Sequence, residues 1–237
     1  MAKKVKGKLI ARIKRSHSIE SFRFIFQERI DFFPGQFARV IFNEEDLQDK
    51  ELNKYLSFSS SPTKNYIELT KRLSGSRFSQ SLDRLSPKDE VLFDFSLGSC
   101  VFKEEYKRIG FLIGGIGITP VISIIEYIMD RRLETNVVVF YSNRTEEDIT
   151  FKKELDNWQA INKNISVVYF VTDYLPLNKQ YILGMIDKDS VLRKVGADEE
   201  RIFFIFGPPP MVEAMKMICL DIGYKGGNIK TEKFIGY

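Results

Sequence analysis

Three glycines and a Thr-Pro pair lie close together in GGIGITP, residues 114–120. A nearly continuous apolar run precedes this segment and a helical pattern follows it, which predicts a turn between a buried strand and a helix. Such a turn offers main-chain N–H groups at the positive end of a helix, where they can bind a pyrophosphate. Thr119 suits the helix cap and Pro120 the first helical position. Pro120 stands where the Rossmann fingerprint has its third glycine. A tight turn without a ligand is the alternative.

Two earlier segments carry further groups that can bind phosphate. KYLSFSSSP, residues 54–62, ends a predicted strand with four serines, and KRLSGSRFSQSL, residues 71–82, places cations and a Gly-Ser turn before a short helix. Positive charge and a helix N-terminus act together in the second segment, which predicts an anion site. The alternatives are a solvated strand face for the serines and a basic surface loop for the second segment.

The C-terminal part adds FGPPPMVEAM, residues 206–215, and IKTEKFIGY, residues 229–237. Gly207 ends a predicted buried strand, and the prolines after it force an extended turn before a helix. This loop is therefore expected at the carboxyl edge of a parallel sheet, where ligands of α/β folds bind. The last segment is a predicted terminal strand whose acid and aromatics can equally be structural.

Two different patterns of secondary structure are predicted around these segments. The first hundred residues contain six short strands with alternating or turn-bounded patterns, which predict a six-stranded antiparallel barrel, with an open sandwich as the alternative. From about Arg108, apolar strands alternate with helical patterns, which predict a Rossmann-like parallel α/β domain. The predicted division is residues 1–100 for the barrel and residues 101–237 for the α/β domain.

Composition and residue content limit the classes of protein to which this chain can belong. Hydrophobic residues at 43% and charged residues at 29% are ordinary globular values, and the net charge of +4 is mildly basic. Cys100 and Cys219 show no CxxC spacing, and His17 is the only histidine, so no metal site is predicted. No apolar leader is visible, and the glycines, Pro120 and Glu126 argue against a membrane span in residues 111–128. A cytoplasmic protein with no membrane span and no nucleic-acid partner is expected.

Taken in order, these segments resemble the ferredoxin-NADP reductase family, whose members join an FAD-binding antiparallel barrel to an NAD(P)-binding α/β domain. The resemblance covers nearly the whole chain. KYLSFSSSP resembles the R-x-Y-S segment of the family, with Lys54 in place of the arginine on the FAD pyrophosphate and Leu56 in place of the tyrosine on the flavin. Ser57 matches the serine near flavin N5. The flavin and pyrophosphate contacts implied by the resemblance are Lys54, Tyr55, Leu56, Ser57, Leu69, Thr70, Lys71, Arg77, Phe78 and Ser79.

The remaining motifs resemble the nicotinamide half of the family. GGIGITP matches G-G-x-G-x-T-P, and FGPPPMV resembles C-G-P-P-x-M-V with Phe206 in the cysteine position. EKF resembles the terminal E-x-Y or E-x-F, which implies that Phe234 stacks on the flavin, although Tyr237 is an alternative. The nucleotide contacts implied are Gly114, Gly115, Gly117, Thr119, Pro120, Ser142, Asn143, Arg144, Gly207, Pro208 and Met211. Arg144 can pair with the 2′-phosphate of NADPH, but three acids follow it, so the choice stays open with a lean to NADH.

The resemblance implies an FAD-dependent reductase in which NADH or NADPH gives a hydride to the flavin, which passes single electrons to a ferredoxin, a flavodoxin or an oxygenase component. Ser57, Glu232 and Phe234 are the expected catalytic residues, and the basic charge fits an acidic partner. Any iron-sulfur cluster or haem is then expected on that partner. Two alternatives stay open. One is a flavin-binding electron-transfer subunit that does not itself oxidise NAD(P)H. The other is a cofactor-free binding module.

Overall fold

The computed structural model describes residues 4–196 and 198–234. Contacts within the chain divide it into two compact units. The barrel unit is the chain up to Phe102 together with Thr119–Asp130, and the sheet unit is Lys103–Ile118 together with the chain from Arg131 onward. The helix that follows the glycine turn therefore belongs, by its contacts, with the barrel unit.

Six antiparallel strands form the barrel unit. They are β1 (Lys4–Lys14), β2 (Ile19–Ile25), β3 (Phe37–Ile41), β4 (Asn53–Ser57), β5 (Ile67–Arg72) and β6 (Glu90–Leu97), and helix α1 (Arg77–Arg84) follows β5. The strand order is β4-β3-β6-β1-β2-β5, and a bridge between Phe58 and Leu69 joins the two outer strands. Fully buried rings that include Phe22, Phe24 and Phe93 fill the interior. The predicted six-stranded antiparallel barrel is confirmed.

The sheet unit is a six-stranded parallel sheet in the order β10-β9-β8-β7-β11-β12. The strands are β7 (Arg108–Gly114), β8 (Asn136–Asn143), β9 (Ile165–Val171), β10 (Ile182–Leu183), β11 (Ile202–Gly207) and β12 (Ile229–Lys233). The helices are α3 (Lys152–Ile161), α4 (Lys188–Val195) and α5 (Pro209–Ile222), whereas α2 (Thr119–Asp130) belongs to the barrel unit. The parallel α/β prediction is also confirmed. Within the described residues, no helix has the length and apolarity needed to cross a bilayer.

Local details differ from the sequence prediction. A 3₁₀ turn at Gly115–Ile118 leads directly into α2, so Thr119 is the first residue of the helix and not a cap before it. Strand β10 was not expected, because two residues give no periodic signal. Residues Ile235 to Tyr237 lie outside the described residues, and so does the Tyr237 alternative for covering the flavin.

Candidate cofactor and nucleotide sites

A cluster of cations lies where β4 and β5 present the predicted pyrophosphate contacts. Burial lowers the pKa of Lys71, and the charges of Lys54 and Arg72 lower it further. The Lys71 ammonium donates to the Arg72 carbonyl at 3.2 Å, and neither lysine has an ion-pair partner among the described residues. The Lys54 and Lys71 ammonium groups, which have no counter-ion among the described residues, are suited to an anionic ligand such as a pyrophosphate.

Helix α1 supplies hydroxyl groups to the same end of the barrel unit. The Ser76 side chain accepts from the Ser79 N–H at 3.3 Å and caps the helix. The hydroxyls of Ser74 and Ser76 lie 3.2 and 3.1 Å from that of Ser79. The side of Gly75 is open, because no atom lies within 4 Å of the point that a Cβ would occupy there. Serine hydroxyls and the positive end of a helix suit the phosphates of FAD.

The other predicted flavin contacts divide into available and unavailable side chains. Tyr55 is 59% exposed, whereas Ser57 is 7% exposed, and the Ser57 hydroxyl forms no hydrogen bond with the described residues. Leu56 packs against the barrel core. Leu69 and Phe78 are completely buried in that core, so only their main-chain groups can contact a cofactor.

The side chains of Thr70 and Arg77 already bond to other protein groups. The Thr70 hydroxyl lies 2.7 Å from the hydroxyls of both Ser21 and Ser59. Arg77 is exposed and forms an ion pair with Glu51 at 3.1 Å. Their side chains would have to give up these contacts to bind a cofactor.

The glycine turn of the sheet unit requires glycine at particular positions. A Cβ on Gly117 would lie 2.5 Å from the Phe206 carbonyl oxygen, and a Cβ on Gly114 would collide with the Met211 sulfur. Gly115 has φ +52° with open space around its Cβ position, and the Tyr141 hydroxyl donates to its carbonyl at 3.1 Å. The turn therefore lies tightly on β11 and keeps one open side that can receive a ligand.

A buried amide without a partner lies at the end of the next strand. Asn143 is 4% exposed, and neither polar atom of its side chain has a hydrogen-bond partner among the described residues. Ser142 beside it pairs in register with Gly114, which places these groups at the edge of the sheet that carries the glycine turn. Buried amides are normally hydrogen-bonded, so the Asn143 side chain fits a ligand that supplies polar groups.

Arg144, on the same sheet edge, has an acidic partner, and three further acids follow it in the chain. Arg144 is highly exposed and forms an ion pair with Asp173 at 3.3 Å. Glu146 accepts from the N–H groups of Leu177 and Asn178, and Glu147 accepts from the Tyr174 hydroxyl. Sequence reasoning missed Asp173, and its position two residues after β9, a strand that runs parallel to β8, is the signal that could have identified it.

The C-terminal motif lies beside the FGPPP loop. Glu232 pairs in register with Phe206, and burial raises its pKa to about 7. The Phe206 ring is completely buried, and its centroid lies 6.4 Å from that of Phe234. The Phe234 N–H donates to the Gly207 carbonyl at 2.9 Å. Glu232 is thus a carboxyl that can gain or lose a proton near neutral pH. Pro208 is extended before α5, as predicted.

A metal site has no support in the described part of the chain. No group of three or more His, Cys, Asp or Glu side chains among those residues is arranged to hold a metal ion.

A barrel with an anion site and a parallel sheet with a glycine turn are together typical of flavin- and nicotinamide-dependent oxidoreductases. A family profile described as the oxidoreductase NAD-binding domain matches residues 111–217. An NADH nitrate reductase of Arabidopsis thaliana is 27% identical over 259 residues, which cover 98% of this chain and 28% of that protein.

Solved structures share the whole fold. The cytochrome b5 reductase domain of Ulva prolifera nitrate reductase has a TM-score of 0.84 at 23% identity, covering 97% of both chains. A ferredoxin NADP+ reductase from Neisseria gonorrhoeae, with bound FAD and NADP, has a TM-score of 0.81 at 20% identity, covering 98% of this chain and 99% of that one. The chain thus contains an oxidoreductase NAD-binding domain and shares the two-domain fold of ferredoxin-NADP reductase-like oxidoreductases, as the sequence predicted. The NAD-binding profile agrees with the prediction of NADH or NADPH, and a solved structure of the same fold binds FAD together with NADP.

Replacing Glu232 with glutamine should change how stability depends on pH. The folded pKa of about 7 lies above the ordinary value of 4.5, so the folded protein loses stability as the pH rises from about 4.5 to about 7. The Glu232→Gln variant should lack this loss and exceed the wild type by about 1–3 kcal/mol at pH 8. Urea unfolding at pH 5 and pH 8 measures the difference. Glu134→Gln, at an exposed acid, is the control, and equal curves for Glu232→Gln and the wild type would contradict the prediction.

Replacing Gly115 with valine should weaken nucleotide binding and leave flavin bound. Valine is strained at φ +52°, and its side chain would enter the open side of the turn. We expect at least about tenfold weaker binding of NAD(P)H in a titration. Gly196→Val, at φ +62° with equally open surroundings, is the matched control for backbone strain. Loss of flavin with unchanged nucleotide affinity would refute the assignment.

Proposed function

We propose that this chain is an FAD-dependent NADH oxidoreductase that passes electrons one at a time to a separate protein acceptor. The observation that carries the proposal is that, in the described part of the chain, each unit holds polar groups whose charge or hydrogen bonds the protein leaves unsatisfied. These are the Lys54 and Lys71 ammonium groups in the barrel unit and the Asn143 amide in the sheet unit. We assign residues 1–100 to FAD and residues 101–237 to the nucleotide.

Specific side chains have distinct roles in this proposal. Lys54, Lys71 and the hydroxyls at the start of α1 bind the FAD pyrophosphate, and the free Ser57 hydroxyl binds the flavin ring. Bound FAD supplies the redox chemistry, in which it accepts a hydride and releases electrons singly. Glu232 holds or releases a proton at its carboxyl group near neutral pH. Phe234 covers the flavin until the nicotinamide enters.

We propose NADH as the preferred donor. Arg144 is the cation available to a 2′-phosphate in this segment, and Asp173 already pairs with it at 3.3 Å. Glu146 and Glu147 add negative charge close to Arg144 in sequence and bond to the 174–178 loop. A 2′-phosphate would therefore have to displace the Asp173 carboxylate, whereas a ribose hydroxyl can accept a hydrogen bond from Arg144 or donate one to Asp173.

The proposed acceptor is a haem protein of the cytochrome b5 class. The names of the relatives support this choice, since they include a cytochrome b5 reductase domain of a nitrate reductase. The net charge of +4 favours an acidic partner through long-range attraction. Ferredoxin and flavodoxin are the alternative acceptors. The rates at which the protein reduces each of the three acceptors, with NADH as the electron donor, distinguish among them.

A second candidate function is a flavin-binding electron-transfer subunit that does not oxidise NAD(P)H. Phe206 favours it, because a completely buried ring occupies the position where the family has a cysteine near the nicotinamide. Anaerobic mixing of the FAD-loaded protein with NADH or NADPH separates the two functions. Bleaching of the flavin absorbance near its visible maximum supports the oxidoreductase, whereas a flavin that stays oxidised with both nucleotides refutes it.

Replacing Asp173 with asparagine should improve the use of NADPH. The change frees Arg144 and removes one negative charge, so we expect KM for NADPH to fall about three- to tenfold while KM for NADH changes little. Steady-state kinetics with both nucleotides measures this. The double variant with Arg144→Met should lose the gain, and an equal response of both nucleotides to Asp173→Asn would contradict the proposed donor preference.

A further inference from the structure

Helix α2 carries a stripe of polar side chains that bond to residues 60–64, the segment that follows strand β4. Ser123, Glu126 and Asp130 lie three and four residues apart, so they share one face of the helix. All three bond to residues 60–64, a segment that begins three residues after Ser57. Both elements belong to the barrel unit.

The contacts of this stripe run from a buried hydrogen bond at Ser123 to exposed bonds at Asp130. The completely buried Ser123 hydroxyl donates to the Ser60 carbonyl at 2.7 Å, and the Ser61 N–H donates to the Glu126 carboxylate at 2.7 Å. Lys64 lies 3.4 Å from Glu126 and 2.9 Å from Asp130, and the Thr63 hydroxyl also donates to Asp130. Buried main-chain groups that depend on side-chain partners hold their element in one position, because an unmade bond is costly.

The same segment is fixed to β5 on its other side. The Ser59 N–H donates to the Glu68 carbonyl at 2.8 Å, and the Glu68 N–H donates to the Ser60 hydroxyl at 2.9 Å. The Ser59 hydroxyl also lies 2.7 Å from that of Thr70. Residues 59–61 are therefore bonded to both β5 and α2. Among the serines of residues 57–61, Ser57 is the one whose hydroxyl is available to a ligand.

These contacts bear on function through Thr119, at the start of α2. Thr119 is the first residue of the helix and 2% exposed, and it follows the glycine turn directly in the chain. A shift of α2 along or about its axis would move Thr119 relative to Ser57. Apolar contacts alone tolerate such sliding better than directional hydrogen bonds do.

We propose that Ser123 and Glu126 are positioning residues that fix Thr119 relative to Ser57 and thereby set the geometry of hydride transfer to the flavin. This inference rests on the proposed function. Hydride transfer depends steeply on alignment, and small displacements reduce its rate without weakening ground-state binding.

The test uses three variants of the FAD-loaded protein. Glu126→Leu removes the acceptor for the Ser61 N–H and the partner of Lys64, Glu126→Gln keeps an acceptor, and Ser123→Ala removes the bond to Ser60. Glu134→Gln, at an exposed acid four residues after α2, is the control for a lost charge. Each variant is studied by anaerobic stopped-flow reduction with NADH and by amide hydrogen exchange of peptides covering residues 57–64 and 119–127.

We expect Glu126→Leu to lower the limiting rate of flavin reduction about tenfold or more with little change in the apparent Kd for NADH. Exchange should rise in both peptides, while peptides from β7 and β8 stay unchanged. Ser123→Ala should act in the same direction, and Glu126→Gln should restore most of the rate. A Glu126→Leu variant with unchanged exchange, or one that loses only NADH affinity, overturns the inference.

The outcome for the proposed function is separate. If NADH and NADPH fail to reduce the wild-type flavin, the proposed oxidoreductase function fails. Hydrogen exchange then decides the positioning role: faster exchange in both peptides of Glu126→Leu, with Glu126→Gln close to the wild type, supports it, and exchange equal to that of the wild type refutes it.

Discussion

The buried serine run at the end of β4 is the constraint on which the cofactor end of the barrel unit depends. Ser59, Ser60 and Ser61 are each at most 3% exposed, and their hydroxyl and main-chain groups bond to β5 and α2. Glu68 lies behind them with a nearly buried carboxylate that binds Arg15 at 2.9 Å and Arg23 at 2.8 Å. Because a buried charge without partners is costly, these contacts stabilise the serine run in its position directly after Ser57.

In the sheet unit the constraint is the close approach of two main-chain segments, the glycine turn and the end of β11. Gly117 lies so near the Phe206 carbonyl that no side chain fits, and Met211 fills the space beside Gly114. These contacts bring the glycine turn onto the end of β11 while Gly115 keeps an open side. A turn that is tight on one side and open on the other leaves room for a ligand beside the start of a helix.

Groups whose charge or hydrogen bonds the described residues leave unsatisfied occur where ligands are proposed. The Lys71 ammonium has a lowered pKa, the Glu232 carboxyl has a raised one, and both polar atoms of the Asn143 amide lack hydrogen bonds to the described residues. Each of these features reduces the stability of the protein without ligand. Cofactors that satisfy them stabilise the folded state through binding, so stability and function are linked at the same residues.

The sequence by itself determined the order and type of the main elements and the motifs that identify the family. Strand β8 (Asn136–Asn143) and helix α4 (Lys188–Val195) could be predicted with their bounds, because periodicity and turn chemistry are local properties. Only the tertiary structure decided that Ser59 to Ser61 are internal, that the Leu69 and Phe78 side chains fill the core, and that Asp173 meets Arg144. It also decided that α2 contacts the barrel unit. These outcomes depend on partners that are distant in the chain, and a local pattern carries no information about which distant group will complete a hydrogen bond or cover a face.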